Sequence, residues 1–300
     1  MRTLSFRAIF IAAMLFASKP MFPQADLGSQ KGFTEYETVQ GTLNSDSRLF
    51  KVDSTVGWDF NKHFGVYGGV PFYIASVPGS SATASTTATS STSTHGLGNA
   101  YLGLALRAPN TTLDYVGAIT VSAPTGSTSN GLSTGRAGVD FTNHFSHSFS
   151  RLTPFVEAGV SNTVPDSTFF TRPFTSLGAI THFEEGTDFE IVKHTYIGGS
   201  GYEIVPFGNQ KIFSKLVGKG QGGGTGGGGG KGNNTFDNNA VTSGADLTRE
   251  NGFNGWVAFE PTQLWRVEAG FTRSATFNLN SFAFNLRFNV GKMLRSRKTS

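Results

Sequence analysis

Much of the chain alternates apolar and polar positions with a period of two, in runs of roughly ten residues separated by turn sequences. Leu49–Phe60 puts Phe50, Val52, Val56, Trp58 and Phe60 on one face and Lys51, Asp53, Thr55, Gly57 and Asp59 on the other. His63–Ile74 sets Phe64, Val66, Val70, Phe72 and Ile74 against His63, Gly65, Tyr67, Gly69 and Tyr73. Gly135–Phe145 sets Ala137, Val139, Phe141 and Phe145 against Arg136, Gly138, Asp140 and Thr142, and the last run sets Phe282, Phe284, Leu286, Phe288 and Val290 against Ala283, Asn285, Arg287 and Asn289. Successive side chains of a strand point to opposite sides, so each run reads as a strand with one apolar and one polar or small face.

Twelve such strands are predicted, near 33–43, 48–60, 63–74, 96–107, 113–123, 135–145, 152–162, 174–184, 187–205, 251–260, 263–273 and 280–290; the poor alternation of Thr187–Val205 leaves ten or fourteen open. Connections after strands two, four, six, eight and ten are short: Asn61-Lys62, Ala108–Thr112, Ser146–Arg151, Glu185-Gly186 and Pro261-Thr262. Those after strands three, five, seven and nine are long: 75–95, 124–134, 163–173 and 206–250. Short turns on one side and long loops on the other distinguish a membrane barrel from a soluble sandwich. The expected fold is therefore all-β, a transmembrane antiparallel up-and-down β-barrel of about twelve strands. An even count puts both termini in the periplasm. An aromatic girdle is expected from Trp58, Phe60, Phe64, Phe145 and Trp265 beside the short turns, with Trp256 nearer the opposite rim.

The N-terminal segment adds a location. Arg2 and Arg7 precede Ala8–Ala17, an apolar stretch too short to span a bilayer, so residues 1–25 read as a secretory signal. After it no apolar run reaches the roughly 20 residues of a membrane helix, and only a closed barrel spans lipid without helices. The expected organisation is a leader at 1–25, an outer-membrane barrel over 26–290 with mobile outer loops at 75–95 and 206–250, and a basic periplasmic tail at 291–300. The host is then a Gram-negative bacterium. Composition agrees: 28 Phe, 39 Gly, no Cys and 15% charged residues suit aromatic-faced, closely packed strands and exclude disulfides and thiolate sites. The net charge of +4 falls to +1 without Arg2, Arg7 and Lys19, and to −3 without Lys292, Arg295, Arg297 and Lys298, so it gives no footprint for nucleic acid.

Candidate chemistry is sparse. Residues 79–95 are a Ser/Thr/Ala tract and 218–234 nearly all Gly, neither able to offset its ordering entropy. The GxGxxG spacing of Gly218, Gly220 and Gly223 lacks the following helix a dinucleotide site needs. Charges are expensive against lipid, so Lys51, Asp53, Asp59, Arg107, Asp114, Arg136, Asp140, Glu157, Arg266, Glu268 and Arg287 are candidate lumen-lining residues, either selecting polar solutes or pairing across the lumen to fill it. His144 and His147 lie among Ser146, Ser148 and Ser150, which keeps a hydrolase in view, although proximity in a turn supplies no oriented base. No third ligand accompanies them, so no metal site is expected.

Gly96–Arg107 (GLGNAYLGLALR), Val116–Gly126 (VGAITVSAPTG), Gly135–Gly159 ending in LTPFVEAG, and the C-terminal FNGWVAFEPTQLWRVEAGF together resemble the outer-membrane proteins of the MetA-pathway phenol-degradation, or transporter-like, family. The resemblance covers most of 96–162 and 251–290; the ten residues after Val290 depart from barrels that end on an aromatic. It implies a pore or transporter-like barrel for passive uptake of small, aromatic or hydrophobic solutes, and brings no catalytic residues. The alternatives are a structural or surface-interaction barrel and an outer-membrane hydrolase. The expected partners are outer-membrane lipids, the barrel-assembly machinery and a small-molecule solute, with no cofactor and no nucleic acid.

Overall fold

A computed structural model describes residues 31–45, 47–76, 93–110, 113–216, 241–243, 249–262 and 264–296. The leader expected at 1–25, the Gly tract and most of the Ser/Thr tract lie outside the described residues. The strands are β1 Gly32–Asn44, β2 Arg48–Asp59, β3 Phe64–Ser76, β4 Ser93–Leu97, β5 Tyr101–Ala108, β6 Asp114–Ser122, β7 Gly138–Ser146, β8 Leu152–Ser161, β9 Phe174–Leu177, β10 Ile180–Val192, β11 Thr195–Pro206, β12 Gln210–Ser214, β13 Val241–Ser243, β14 Glu250–Thr262, β15 Trp265–Ser274 and β16 Leu279–Asn289. All but β9, β12 and β13 form one antiparallel sheet that closes on itself, since β1 pairs with both β2 and β16 and β2 also pairs with β3. β4 and β5 both pair with β3 and act as two halves of one wall strand, interrupted opposite Pro71, where Gly98 N–H donates to the Pro71 carbonyl. The result is a closed barrel of twelve antiparallel strands. Closure leaves no sheet edge, which is what lets strands cross lipid. Among the described residues no helix is long and apolar enough to cross a membrane.

Alternation is the cause of the wall. In β14, Phe253, Val257 and Phe259 are exposed outward while Asn254, Trp256 and Ala258 are buried inward. The same division runs through β2, β6, β7 and β16. Tight turns close one rim: the Asn61 carboxamide accepts from the N–H groups of His63 and Phe64 at 2.7 and 2.9 Å, fixing the β2–β3 turn. The apolar belt has exceptions. Glu37 faces outward on β1 and accepts a hydrogen bond from Ser54 at 2.7 Å, and Glu185 is exposed in mid-β10.

Three sequence expectations need correction. The turn after strand eight is not Glu185-Gly186, which lie mid-strand. It is at Lys193-His194, with His194 at φ 69°. The dense polar run GluGluGlyThrAsp mimics a turn, yet Glu184 points in and Glu185 out, as the pleat requires. Second, Phe174–Leu177 belongs to a separate three-stranded sheet with β12 and β13, built from the two long connections on the far rim. Third, the C-terminal segment begins as a short helix, α1 (Val290–Ser296), capped by the Asn289 side chain accepting from Lys292 N–H at 2.8 Å. Its Gly291 sits so close to the Thr34 and Glu35 backbone that a Cβ would meet it at 2.8 Å, which holds the helix against the start of β1.

Candidate functional site

The connection between β8 and β9 does not stay outside the barrel. It turns inward as a tight hairpin whose ends, Ser167 and Phe170, exchange backbone hydrogen bonds. The barrel wall grips it at several points. Gln40 on β1 donates to the carbonyls of Ser167 and Thr168 at 2.8 and 2.5 Å, and Thr42 accepts from Thr171 N–H at 3.0 Å. Thr272 on β15 donates to the Phe169 carbonyl at 3.3 Å. Phe169 itself stacks on Trp256 at 4.9 Å between centroids, with Phe155, Ala258 and Ala283 around them. A Cβ at Gly270 would lie 2.6 Å from the Phe169 ring, and one at Gly198 would lie 2.2 Å from Trp256, so these two glycines make room for the stack.

Electrostatic latches complete the docking. Arg172 pairs with Glu250 at 3.0 Å, both fully enclosed, and Tyr202 donates to the same carboxylate at 2.7 Å. Asp166 receives Tyr73 OH and Arg172 N–H and lies 3.5 Å from Lys51 and 3.9 Å from Lys215. Burial pushes the Asp166 carboxyl up, but Lys215, Lys51 and the Arg172 N–H outweigh it and hold it down at about 2.

Between this hairpin and the wall lies a cavity of about 380 Å³. Its lining is mixed: hydroxyls of Thr38, Thr55, Thr120 and Thr142, the rings of Tyr67, Tyr73 and Tyr101, and charged groups from both sides. The tyrosine hydroxyls are tied down, Tyr101 to Asp53 at 2.8 Å and to Thr55 at 2.6 Å, and Tyr67 to Thr120 at 2.6 Å. On β7, β8 and β10 stand Asp140, Glu157, His182 and Glu184.

Toward the rim of short turns the lumen is filled instead. Arg107 donates to Asp59 at 2.9 Å, both buried. Arg266 reaches Glu268 at 2.6 Å, Glu260 at 3.2 Å and Asp188 at 3.9 Å, and Trp256 donates to Asp188 at 2.7 Å. Asn285 donates to Glu268 at 2.7 Å. The proposed lumen residues thus divide by place. Lys51, Asp53, Asp140 and Glu157 face the cavity; Asp59, Arg107, Arg266 and Glu268 belong to the filled region, with half-buried Arg287 beside them. Asp114 sits at the start of β6 and accepts from Asn110 N–H at 3.2 Å, as a turn residue. Arg136 is a correction: β7 begins only at Gly138, so Arg136 lies on the loop before it, exposed, and does not line the cavity.

Of the aromatic candidates, Trp58, Phe60 and Phe145 are exposed outward, Phe64 stacks on Phe60 at 5.3 Å, and Trp265 meets Phe259 edge-on at 6.0 Å. Trp256 is a correction, since it points inward and is only 5% exposed. Its sequence signal was present: Phe253, Val257 and Phe259 occupy the opposite parity, and Gly198 and Gly270 stand directly across from it on both neighbouring strands. Asp166, Phe169, Arg172 and Lys215 carried no such signal. His144 faces inward against Phe155 at 5.7 Å, whereas His147 lies edge-on to Phe149 at 5.1 Å, so the two rings have different neighbours.

The fold is shared with an outer-membrane channel. The crystal structure of an outer membrane channel from Pseudomonas putida F1 superimposes with TM-score 0.54 at 11% identity, covering 91% of this chain and 97% of that one. The KdgM porin aligns over 84% of this chain and 98% of its own, at TM-score 0.45 and 6% identity. No family model and no curated protein matches the chain. The likeness to the channel from Pseudomonas putida F1 therefore shows a shared β-barrel fold and leaves the phenol-degradation family as a resemblance.

Proposed function

We propose that this barrel is a passive pore for small solutes, set in the outer membrane with the short turns and both termini in the periplasm, and that the Ser167–Phe170 hairpin forms its constriction. The observation that carries the reading is a cavity lined by charged and hydroxyl groups, enclosed by a closed barrel and bounded on one side by a segment inserted from a long connection. The hairpin is docked through hydrogen bonds and ion pairs that can be exchanged for solute or water. A catalytic role draws no support from His144 and His147, which pack against different rings. The packed region near the short turns favours the rival reading, a structural barrel without flux.

The test is conductance of the full chain in planar bilayers. Discrete steps are expected, and they should grow when Ser167–Phe170 is replaced by two glycines. The sequence has no cysteine, so a Thr42→Cys/Thr171→Cys pair can tether the hairpin where the wall already holds it. Oxidation should then lower the conductance and reductant should restore it. Absence of current and of solute flux in both the native and the shortened protein would overturn the pore reading in favour of the structural one.

A further inference from the structure

The charges around the cavity do not balance evenly from side to side. On the β2 side and the hairpin, the cations are all paired: Lys51 lies 3.8 Å from Asp53 and 3.5 Å from Asp166, and Lys215 shares Asp166 at 3.9 Å. Arg172, whose charge also reaches Glu184, is held by Glu250 at 3.0 Å. Across the lumen the situation differs. Asp140, Glu157 and Glu184 stand on three adjacent strands, and Glu157 and Glu184 are direct cross-strand partners. Like charges placed directly opposite on a sheet repel.

The compensation there is thin. His182 Nε2 is 3.1 Å from Asp140, and His182 Nδ1 is 3.8 Å from Glu157. Among the described residues no lysine or arginine lies within 4.0 Å of any of the three carboxylates. Glu184 is satisfied by neutral donors, Ser200 at 2.6 Å and Asn254 at 3.2 Å. Glu157 lines the cavity, and its Oε2 is enclosed with no hydrogen-bond partner among the described residues. An enclosed carboxyl oxygen without a donor is costly, and a hydrogen-bond donor entering the cavity would relieve that cost. Nor is a chelated metal the natural candidate, because among the described residues no group of three His, Asp or Glu side chains is arranged to hold one. Tyr67 and Tyr101 add aromatic rings to the same chamber, a lining that suits an organic cation.

We propose that the cavity is a selectivity site for small hydrophilic cations, organic amines above all, with Glu157 receiving the ammonium group and Asp140 and Glu184 supporting it. This rests on the pore reading and narrows it to a charge class, since the acidic wall and the tyrosine rings face the same chamber.

The experiment uses the full chain in planar bilayers under a KCl gradient, with putrescine as the probe amine. The expected native result is a reversal potential on the cation-selective side and a concentration-dependent block of the current by putrescine. Glu157→Gln should shift the reversal potential toward zero and weaken the block several-fold; Glu184→Gln, tested separately, should do the same to a smaller extent. Heat-modified mobility on gels verifies that each variant is folded. A conducting channel that is unselective or anion-selective, or whose selectivity and block survive both substitutions, overturns the inference while the pore stands. If the native protein carries no current, the pore reading fails by itself, and the site is read by calorimetric titration of putrescine into the detergent-solubilised protein. Saturable binding weakened in Glu157→Gln then supports the amine site, and no binding overturns it.

Discussion

The two halves of the lumen solve the same problem differently. Near the short turns, a barrel too wide for ordinary side chains is filled by long ones that meet in the middle: Arg107 with Asp59, and Arg266 with Glu268, Glu260 and Asp188. Toward the long loops, the wall carries smaller groups such as Thr38, Thr120 and Ser122, and the space is taken by a hairpin borrowed from a connection. The first filling is part of the wall and leaves only with it. The second is a separate segment, and a cavity remains beside it. A barrel of this size sits between those filled by their own side chains and open porins, and this chain uses both devices at once.

The comparison can be broken most sharply at Arg172. Its loss leaves Glu250 buried without its cation, and breaking a buried pair by removing one partner costs roughly 3–5 kcal/mol. Arg172→Met should therefore undock the hairpin and lower the denaturation midpoint of the barrel. Arg249→Met, which removes an ion pair to Glu203 from side chains 60% and 44% exposed, should change nothing measurable. Equal effects would mean the hairpin is not held by its charges.

Phe169→Ala addresses the contact between the halves, because Phe169 caps Trp256 at the boundary of the filled region. Truncating a buried Phe costs about 3–5 kcal/mol where the site cannot collapse, and closure of the hairpin over the gap should place this variant toward the low end. The readout is urea midpoint together with Trp256 fluorescence, which should shift to the red as water reaches the ring. An unchanged spectrum would place Phe169 elsewhere.

The wall is probed by paired arginines on β6. Ile119 faces outward and is exposed, whereas the neighbouring Thr120 lines the cavity. Ile119→Arg should impair assembly by roughly 2–4 kcal/mol, the cost of Arg against the bilayer midplane. Thr120→Arg should assemble and narrow the conductance. Equal assembly defects would show the wrong register.

Acid gives the mildest perturbation. The Asp166 carboxyl is held at about 2 against an ordinary 3.8. Its folded value is the lower one, so its contribution is present above pH 4 and is lost as pH falls through about 2. The difference corresponds to about 2 kcal/mol of hairpin docking. Conductance noise from hairpin motion should rise between pH 4 and pH 2 in the native protein and be already raised, with less acid dependence, in Asp166→Asn. A pH-independent trace in the native protein would remove Asp166 from the latch.

How much of this was legible follows from how far apart the partners are. The wall was, because alternation is a local property: each strand must show one face to lipid and one to the lumen, and Phe253, Val257 and Phe259 declare that parity within seven residues. Even there the pattern misled where polarity was dense, as at Glu184-Glu185, and where an aromatic faced inward, as at Trp256. The lumen's contents were not legible. Gln40 and Thr168 are 128 residues apart and Arg172 and Glu250 are 78 apart, and nothing in the local composition of 163–173 distinguishes a loop outside the barrel from one folded within it. Sequence by itself determined the barrel, since the solvent on each face of a strand acts residue by residue. Only the tertiary structure decided what fills the barrel, because that depends on which distant groups closure brings within hydrogen-bond reach.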